Sequence, residues 1–278
     1  MIIDCHCHAG SGDLLTDPWN TDAPLTLHLQ RMRAAGIRRT VVFAPFHSDY
    51  AIANAEVARI VAQSQGELIG FAFVHARRDA GRIGAMVEQA VVGWRFRGIK
   101  VHGSDALPGR EICEVARRFR IPILVDVVGK AHIIEMLASR YPQVDFIIPH
   151  LGSFNDDWKA QQRVCDQLVR FPNVYADTSG VRRFDYLVQA VERAGAHKLL
   201  FGSDGPWLHP GLELAKIRLL ELSPEKEALI TGGNIARLLR KHRLPAQMGR
   251  RYRLFPLPPQ REDAIPVMTE MTGRDYEL

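Results

Sequence analysis

Short apolar runs alternate with longer amphipathic stretches along most of the chain. Continuous runs of Ile, Val, Leu and Phe are typical of strands that are buried on both faces of a parallel sheet. The runs predict eight strands, over residues 2–8, 39–44, 68–74, 98–102, 121–126, 144–150, 173–177 and 198–204. The stretches between and after them predict helices over residues 25–35, 51–64, 80–92, 110–119, 131–140, 156–170, 186–194 and 212–220.

Eight strand–helix units predict an α/β fold, a single (β/α)8 TIM barrel that could be distorted, because eight parallel strands close such a barrel. An open doubly wound sheet is the alternative, but no Gly-rich nucleotide loop follows the first strand. Ser223 and Pro224 predict the start of a further helix, and Gly36 predicts the end of the first one. The Gly232-Gly233-Asn234 stretch predicts a break before a last short helix over 235–241.

Two parts of the chain are predicted: a barrel with C-terminal helices over residues 1–241, and an extended Pro-rich tail over 242–278. The tail contains several apolar residues and is expected to pack on the barrel or on a neighbouring subunit. A homo-oligomer could therefore form through it. The long loop over residues 9–23 is expected to be functional, because loops of this length usually are.

Composition narrows the class of protein. The 278 residues are 46% hydrophobic and 24% charged, which is typical of a globular protein with a large core. No apolar run approaches the roughly 20 residues that span a bilayer, and no signal-peptide pattern is visible. The four cysteines have no paired spacing, which predicts free thiols in the cytoplasm. The net charge is +5, but the basic residues are scattered, so we expect neither nucleic acid nor membrane as a partner.

The first strand carries candidate metal ligands. Side chains alternate across a strand, so Asp4, His6 and His8 share one face while Cys5 and Cys7 share the other. Two imidazoles on one face can bind one metal ion. The simpler alternative is two polar residues that end a strand, with the cysteines serving only in packing.

The other predicted strands also end in polar residues. A TIM barrel has its active site at the C-terminal ends of its strands, and a buried charge without a partner is costly. A functional site is therefore predicted from the strand-end residues Lys100, His102, Asp126, His150, Asp177 and Asp204, together with His6 and His8. His47 and His75 could equally be ordinary loop histidines, and His209 could reach the mouth of the barrel.

The motifs, taken in order, resemble the amidohydrolase superfamily and its amidohydrolase-related branch. The resemblance rests on Ile3-Asp4-Cys5-His6-Cys7-His8, Gly98-Ile99-Lys100-Val101-His102, Pro149-His150-Leu151-Gly152, Phe201-Gly202-Ser203-Asp204-Gly205-Pro206 and the ending Gly232-Gly233-Asn234-Ile235-Ala236-Arg237-Leu238-Leu239. It implies a distorted (β/α)8 barrel that binds one divalent metal ion, often zinc. It implies hydrolysis of amides, esters or lactones, or decarboxylation of aromatic acids. His6 and His8 would be metal ligands, Asp204 a ligand and general base, and His150 would orient water or substrate.

One residue departs from the family pattern. The family usually ends strand five in His, whereas this chain has Asp126. A site of His6, His8, Asp126 and Asp204 could hold zinc, and its two carboxylates would also suit manganese, magnesium or iron. The departure could instead mean that the metal is weakly bound or absent, as in lactone hydrolysis without metal.

The predicted function is metal-dependent hydrolysis of a small anionic or cyclic amide, ester or lactone. Lys100 and His102 would stabilise a developing oxyanion or hold a substrate carboxylate, although Lys100 could instead pair with Asp126 or Asp177. Decarboxylation and an inactive barrel that binds a metabolite or partner are the alternatives. Four arginines in loops after strands three and seven could clamp an anionic substrate: Arg77, Arg78, Arg182 and Arg183.

Overall fold

The computed structural model describes residues 1–13 and 22–242. Most of the long loop predicted over residues 9–23 and nearly all of the predicted tail, residues 243–278, lie outside this part. The packing of the tail and its role in a homo-oligomer therefore stay predictions.

Parallel strands form the centre of the fold, in two sheets. One sheet has the order β1-β4-β5 and the other the order β11-β10-β9-β8-β7-β6, while β2 and β3 form a small antiparallel pair. The strands are β1 (Ile2–His8), β2 (Gly10–Ser11), β3 (Asp22–Ala23), β4 (Ile37–Phe43), β5 (Leu68–Gly70), β6 (Ala72–Phe73), β7 (Ile99–His102), β8 (Ile123–Asp126), β9 (Phe146–Ile148), β10 (Val174–Asp177) and β11 (Leu199–Leu200).

Backbone hydrogen bonds join the two sheets at both seams. At one seam only Phe71 separates β5 from β6; its N–H bonds to Val42 O at 2.9 Å. At the other seam, Cys5 N–H donates to Phe201 O at 2.9 Å and Asp204 N–H donates to His6 O at 2.8 Å. Eight strand positions thus follow one another as in a TIM barrel, with irregular bonding where the ladders stop. The α/β fold is the predicted one.

Helices follow the barrel strands as the amphipathic pattern predicts. They are α1 (Leu25–Ala34), α2 (Tyr50–Gln63), α3 (Ile83–Glu88), α4 (Arg110–Phe119), α5 (His132–Arg140), α6 (Trp158–Arg170), α7 (Phe184–Ala194), α8 (Pro210–Arg218), α9 (Pro224–Ala228) and α10 (Asn234–Arg240). Ser223 caps α9 as predicted, because its side chain accepts the Lys226 N–H. Gly36 follows α1 with a φ of +77°, a conformation that favours glycine.

Two predicted strands end well before the C-terminal residues predicted for them. The strand predicted over 144–150 ends at Ile148, since Pro149–Gly152 forms a 3-10 turn in which His150 has a φ of +58°. The strand predicted over 198–204 keeps only Leu199–Leu200, because the following residues bond to β1 rather than continue the ladder with β10. Both changes turn side chains towards the C-terminal mouth of the barrel.

The predicted break at Gly232-Gly233-Asn234 is wrong. A π-helical turn, Leu229–Gly233, runs directly into α10. Gly232 is needed for close packing, since a Cβ there would lie 2.2 Å from Met1 O. A second π turn, Gln89–Gly93, continues α3 where an α-helix to residue 92 was predicted.

The interior is one apolar core with free thiols. Cys5 and Cys7 are completely buried on the face of β1 that turns away from the histidines, and all four cysteines are free. This confirms their predicted packing role. Within residues 1–13 and 22–242, no helix has the length and apolar character that a membrane span requires.

Candidate active site

A cavity of about 550 Å³ opens at the C-terminal ends of the strands. Every residue that the sequence assigned to catalysis or metal binding lines it: His6, His8, Lys100, His102, Asp126, His150 and Asp204. Apolar side chains form the rest of its wall, including Phe46, Val128, Phe154, Trp207 and Leu208. Concave sites with a few convergent polar groups are where small ligands bind.

Three of these side chains lie close enough to share one metal ion. Potential ligand atoms of His6, His8 and Asp204 are all within 4.8 Å of one another. Asp204 Oδ1 is 3.2 Å from His6 Nε2 and 3.6 Å from His8 Nε2. The two histidines project from β1, and the backbone bond from Asp204 N–H to His6 O brings the aspartate alongside them.

The outer nitrogens of both histidines face acceptors. His8 Nδ1 lies 3.0 Å from Ala44 O, which can only accept, and His6 Nδ1 lies 2.8 Å from Asp177 Oδ2. Each Nδ1 therefore carries a proton, and each Nε2 faces the Asp204 carboxylate. Such partners on the outer nitrogen are the usual arrangement for metal-binding histidines.

The pKa values show that positive charge is favoured between these atoms. Burial lowers the pKa of His8 to about 4, so this ring is neutral near pH 7. Burial and Lys100 act in the same direction on His6, but Asp177 and Asp204 outweigh them and raise its pKa to about 9. Burial alone would raise the pKa of Asp204, yet His6 and His8 hold it well below its usual range. Either a proton or a metal ion satisfies this arrangement, so the donor set fits a divalent cation.

Asp126, predicted as a fourth metal ligand, belongs to a second group of side chains. Its Oδ1 accepts the Val128 N–H at 2.8 Å, and its Oδ2 lies 3.2 Å from His102 Nε2 and 3.7 Å from His150 Nε2. His102 Nδ1 accepts the Ser104 N–H, so its Nε2–H donates to Asp126. Burial opposes ionisation of Asp126, but both histidines lower its pKa. Asp126 is outside the three-residue group, and its role as a ligand stays a prediction.

Lys100 carries a buried ammonium group into the cavity. Its side chain is 1% exposed, and Nζ lies 4.7 Å from the centre of the Phe43 ring. No carboxylate of the described residues lies within 4.0 Å of it, so the alternative of an ion pair with Asp126 or Asp177 is not formed. Burial lowers the pKa of Lys100, while Asp126, Asp204 and Asp177 oppose that shift.

Asp177 links the metal-ligand group, which contains His6, to the Asp126 group, which contains His150. Its position at the end of β10 did not reveal this role. Besides His6, its carboxylate accepts the His150 N–H at 3.1 Å and the Ser179 hydroxyl at 2.6 Å. Ser179 O in turn lies 2.8 Å from His150 Nδ1, which fixes the proton on that nitrogen. His150 Nε2 is therefore the nitrogen that faces the cavity.

Aromatic side chains that no sequence motif indicated pack against the histidines. Ring centres are 4.5 Å apart for Trp207 and His8, and 5.1 Å apart for Phe154 and His150. Phe46 and His102 are 4.7 Å apart. These aromatic residues lie in loops without periodicity, and their only sequence signal is that each follows a strand end by a few positions.

The remaining candidate histidines do not line the cavity. His47 Nδ1 accepts the Asp49 N–H, which fits the alternative of an ordinary loop histidine. His75 Nδ1 likewise accepts the backbone N–H groups of Arg77 and Arg78 in the loop that follows it. His209 caps α8 by accepting the Gly211 N–H.

The four candidate arginines are exposed and also lie outside the cavity lining. Arg182 pairs with Asp156, and Arg183 pairs with Asp185. Arg78 donates to His47 O. A substrate clamp by these residues therefore has no support from their positions.

Solved structures with the same fold include enzymes of more than one reaction class. An amidohydrolase from Burkholderia multivorans with bound zinc has a TM-score of 0.70 at 17% identity, covering 86% of this chain and 99% of that one. A probable 2-pyrone-4,6-dicarboxylic acid hydrolase from Acinetobacter baumannii with citric acid bound has a TM-score of 0.69 at 17% identity, covering 86% of this chain and 99% of that one. A dihydroxybenzoic acid decarboxylase from Polaromonas sp. JS666, with manganese and the inhibitor 2-nitroresorcinol, has a TM-score of 0.64 at 17% identity. The match covers 86% of this chain and 96% of that one. These likenesses show a shared fold.

Family membership comes from the sequence itself. A search of curated protein sequences finds no significant match. The family model described as amidohydrolase, of the amidohydrolase 2 branch, matches residues 3–241, which is most of the chain and includes every residue of the cavity described above. The chain therefore belongs to the amidohydrolase family of enzymes, as its motifs indicated.

Proposed function

We propose that the protein is a divalent-metal-dependent hydrolase of a small anionic or cyclic amide, ester or lactone. The observation that carries this proposal is the convergence of His6 Nε2, His8 Nε2 and Asp204 Oδ1 on one point that favours positive charge. Two imidazoles and a carboxylate suit zinc first, and manganese or iron next. His6, His8 and Asp204 would hold the ion, with Asp126 as a further candidate ligand.

The proposed chemistry divides between the ion and the Asp204 carboxylate. A bound divalent ion would supply Lewis acidity, which polarises a carbonyl group and makes water a better nucleophile near neutral pH. Asp204, ionised because its pKa is lowered, would accept the proton of the attacking water on its carboxylate and later deliver it to the leaving group.

Lys100, His102 and His150 would act on the substrate. The Lys100 ammonium has no carboxylate partner among residues 1–13 and 22–242, so it is available to bind a substrate carboxylate or a developing oxyanion. Asp126 holds His102, and Ser179 holds His150 with its Nε2 towards the cavity. Phe46, Phe154 and Trp207 would exclude water around the reacting group.

Decarboxylation of a small aromatic acid is the second candidate. Lys100, which has no carboxylate partner in the described part of the chain, lies in a cavity with aromatic walls, an arrangement that suits a planar aromatic carboxylate. The likeness to a dihydroxybenzoic acid decarboxylase adds support. A lactone hydrolase that works without metal would use the same cavity.

Elemental analysis tests metal binding first. The full chain, purified without chelator or added metal, should contain about one equivalent of zinc, manganese or iron per chain. A His6→Ala/His8→Ala variant should lose it. A His47→Ala/His75→Ala variant is the matched control and should keep it, because both residues lie outside the cavity lining. Absence of metal from the wild type, even after reconstitution, would rule out the metal-dependent mechanism.

Product analysis separates the two reactions. Lactones, esters, amides and aromatic acids are incubated with the metal-loaded protein in water enriched in oxygen-18. Hydrolysis places the label in the product, whereas decarboxylation releases carbon dioxide. Turnover with carbon dioxide release and no labelled product would replace the hydrolase with the decarboxylase.

A further inference from the structure

The opposite end of the barrel holds a second concave region, rich in arginine. A cavity of about 470 Å³ there is lined by Arg39, Arg97 and Arg240. Arg39 lies near the start of β4 and Arg97 just before β7, so this is the N-terminal face of the barrel. A neighbouring cavity of about 580 Å³ shares Arg39 and Arg97 and adds Arg95. We call the two together the basic cavity.

Among residues 1–13 and 22–242, no carboxylate compensates the positive charge of the basic cavity. The described residues that line its two parts include neither aspartate nor glutamate. None of its four arginines lies within 4.0 Å of a carboxylate in the described part of the chain, whereas arginines elsewhere on the surface do, as Arg33 does with Glu67. The whole chain has 36 Lys and Arg residues against 31 Asp and Glu residues, a small excess. The concentration of arginine in the basic cavity is therefore a local feature.

Two of the arginines are held in place although their charges repel. Arg39 Nε donates to Gly66 O at 3.0 Å, and Arg97 Nη1 donates to His242 Nδ1 at 2.5 Å. Both side chains are only partly exposed. Burial, followed by the nearby charges of Arg95 and Arg39, lowers the pKa of Arg97. An anion between Arg39 and Arg97 would relieve this repulsion.

We propose that the basic cavity binds a small anion that carries a phosphate group. The planar guanidinium fork matches phosphate oxygens and forms paired charge-assisted hydrogen bonds with them. Apolar side chains such as Ile69 and Leu239 line the same space and would contact an organic part. This site lies at the end of the barrel opposite His6, His8 and Asp204, so its existence does not depend on the proposed hydrolase activity.

Thermal unfolding of the full chain with inorganic phosphate tests the proposal. Sodium chloride keeps the ionic strength constant across the titration. A ligand that binds the folded state raises the melting temperature in a saturable way. Arg97→Met and Arg240→Gln should each weaken the apparent affinity about tenfold or more, since each removes one charge-assisted contact. Arg38→Met is the matched control, because Arg38 is an exposed neighbour of Arg39 outside the cavity lining and should leave the affinity unchanged.

The same variants show whether the effect belongs to the basic cavity. Without phosphate, Arg97→Met should melt no lower than the wild type, because it removes a repelled charge. If it unfolds, the exposed Arg240 carries the test through Arg240→Gln. A wild type that phosphate does not stabilise, or an equal response of wild type, Arg97→Met and Arg240→Gln, would overturn the proposal.

Ethyl phosphate identifies the source of the anion. Free phosphate and the phosphate group of a small organic molecule share the chemistry that arginine recognises. Tighter binding of ethyl phosphate than of inorganic phosphate would support an organic phosphate, and equal or weaker binding would support free phosphate. Loss of both responses in Arg97→Met supports the basic cavity in either case.

Discussion

The carboxylate of Asp177 lies 2.8 Å from Nδ1 of His6, and neither side chain has more than 1% exposure. This contact sets the tautomer of His6 and directs its Nε2 towards Asp204. Asp177 also accepts the His150 N–H, so one buried carboxylate positions histidines from two distant parts of the sequence. Positioning of this kind is as important for a metal site as the ligands themselves.

Replacing Asp177 with asparagine should therefore weaken metal binding. Asp177→Asn keeps the shape of the side chain but removes the charge that stabilises the His6 proton, and such changes cost about 10–100-fold in metal affinity. Competition with a chromophoric chelator measures the affinity. Asp185→Asn, at an exposed carboxylate on α7, should leave it unchanged. Equal affinities in the two variants would show that Asp177 does not act through the metal site.

The alternation of side chains along β1 predicted the position of His6 and His8 well, because a strand has a fixed period of two. The apolar runs likewise predicted the barrel. Sequence could place Asp177 at the end of a strand, but its contacts with His6 and His150 depend on which strands become neighbours. In the stretch over 198–204, the apolar run continues past Leu200 to Phe201, and it does not indicate that the residues after Leu200 change partner from β10 to β1.

An ion pair on α8, between the buried Glu213 and the partly exposed Lys216, should hold the loop that carries Ser179. Glu213 accepts the Gly180 N–H at 2.8 Å and pairs with Lys216 at 2.6 Å, while Lys216 donates to Val181 O at 3.0 Å. Lys216→Met leaves the Glu213 charge buried without its partner, which costs about 3 kcal/mol of the free energy of unfolding. Urea denaturation measures this loss.

Two further variants test the origin of that loss. Glu213→Gln/Lys216→Met removes both charges and should recover part of the stability. Arg183→Met breaks an exposed pair with Asp185 and should cost much less, because solvent screens that pair. If Lys216→Met costs no more than Arg183→Met, the pair does not hold the loop.

Gly70 should not tolerate a methyl group. A Cβ at this position in β5 would lie 2.2 Å from the Phe96 ring. Gly70→Ala should destabilise the fold by about 1–3 kcal/mol, the usual cost of overpacking a core. Gly84→Ala is the matched control: nothing lies within 4 Å of its Cβ, and alanine in a helix gains about 0.5–1 kcal/mol over glycine. Thermal melts that rank the two variants alike would contradict the packing around Phe96.

His28 should make the fold sensitive to acid. The ring is 2% exposed and packs against Gly205, and neither nitrogen has a hydrogen-bond partner among the described residues. Burial, with smaller contributions from Arg31 and His209, lowers the pKa of His28 from 6.5 to about 4. The unfolded chain therefore binds more protons between these two values, and the free energy of unfolding contributed by His28 falls as the pH falls through this window.

The His28→Phe variant isolates this effect. A shift of this size corresponds to about 3 kcal/mol, so the wild type should lose about that much stability relative to the variant between pH 7 and pH 4. The comparison is needed because Asp4, 4.0 Å from His28, is also buried, with its pKa raised to about 7. Urea denaturation at both pH values measures the difference, and His132→Phe, at an exposed position on α5, should show none. If the difference in free energy of unfolding between the wild type and His28→Phe is the same at both pH values, His28 takes up its proton without unfolding the chain. That outcome requires water or Asp4 to reach the ring in the folded state.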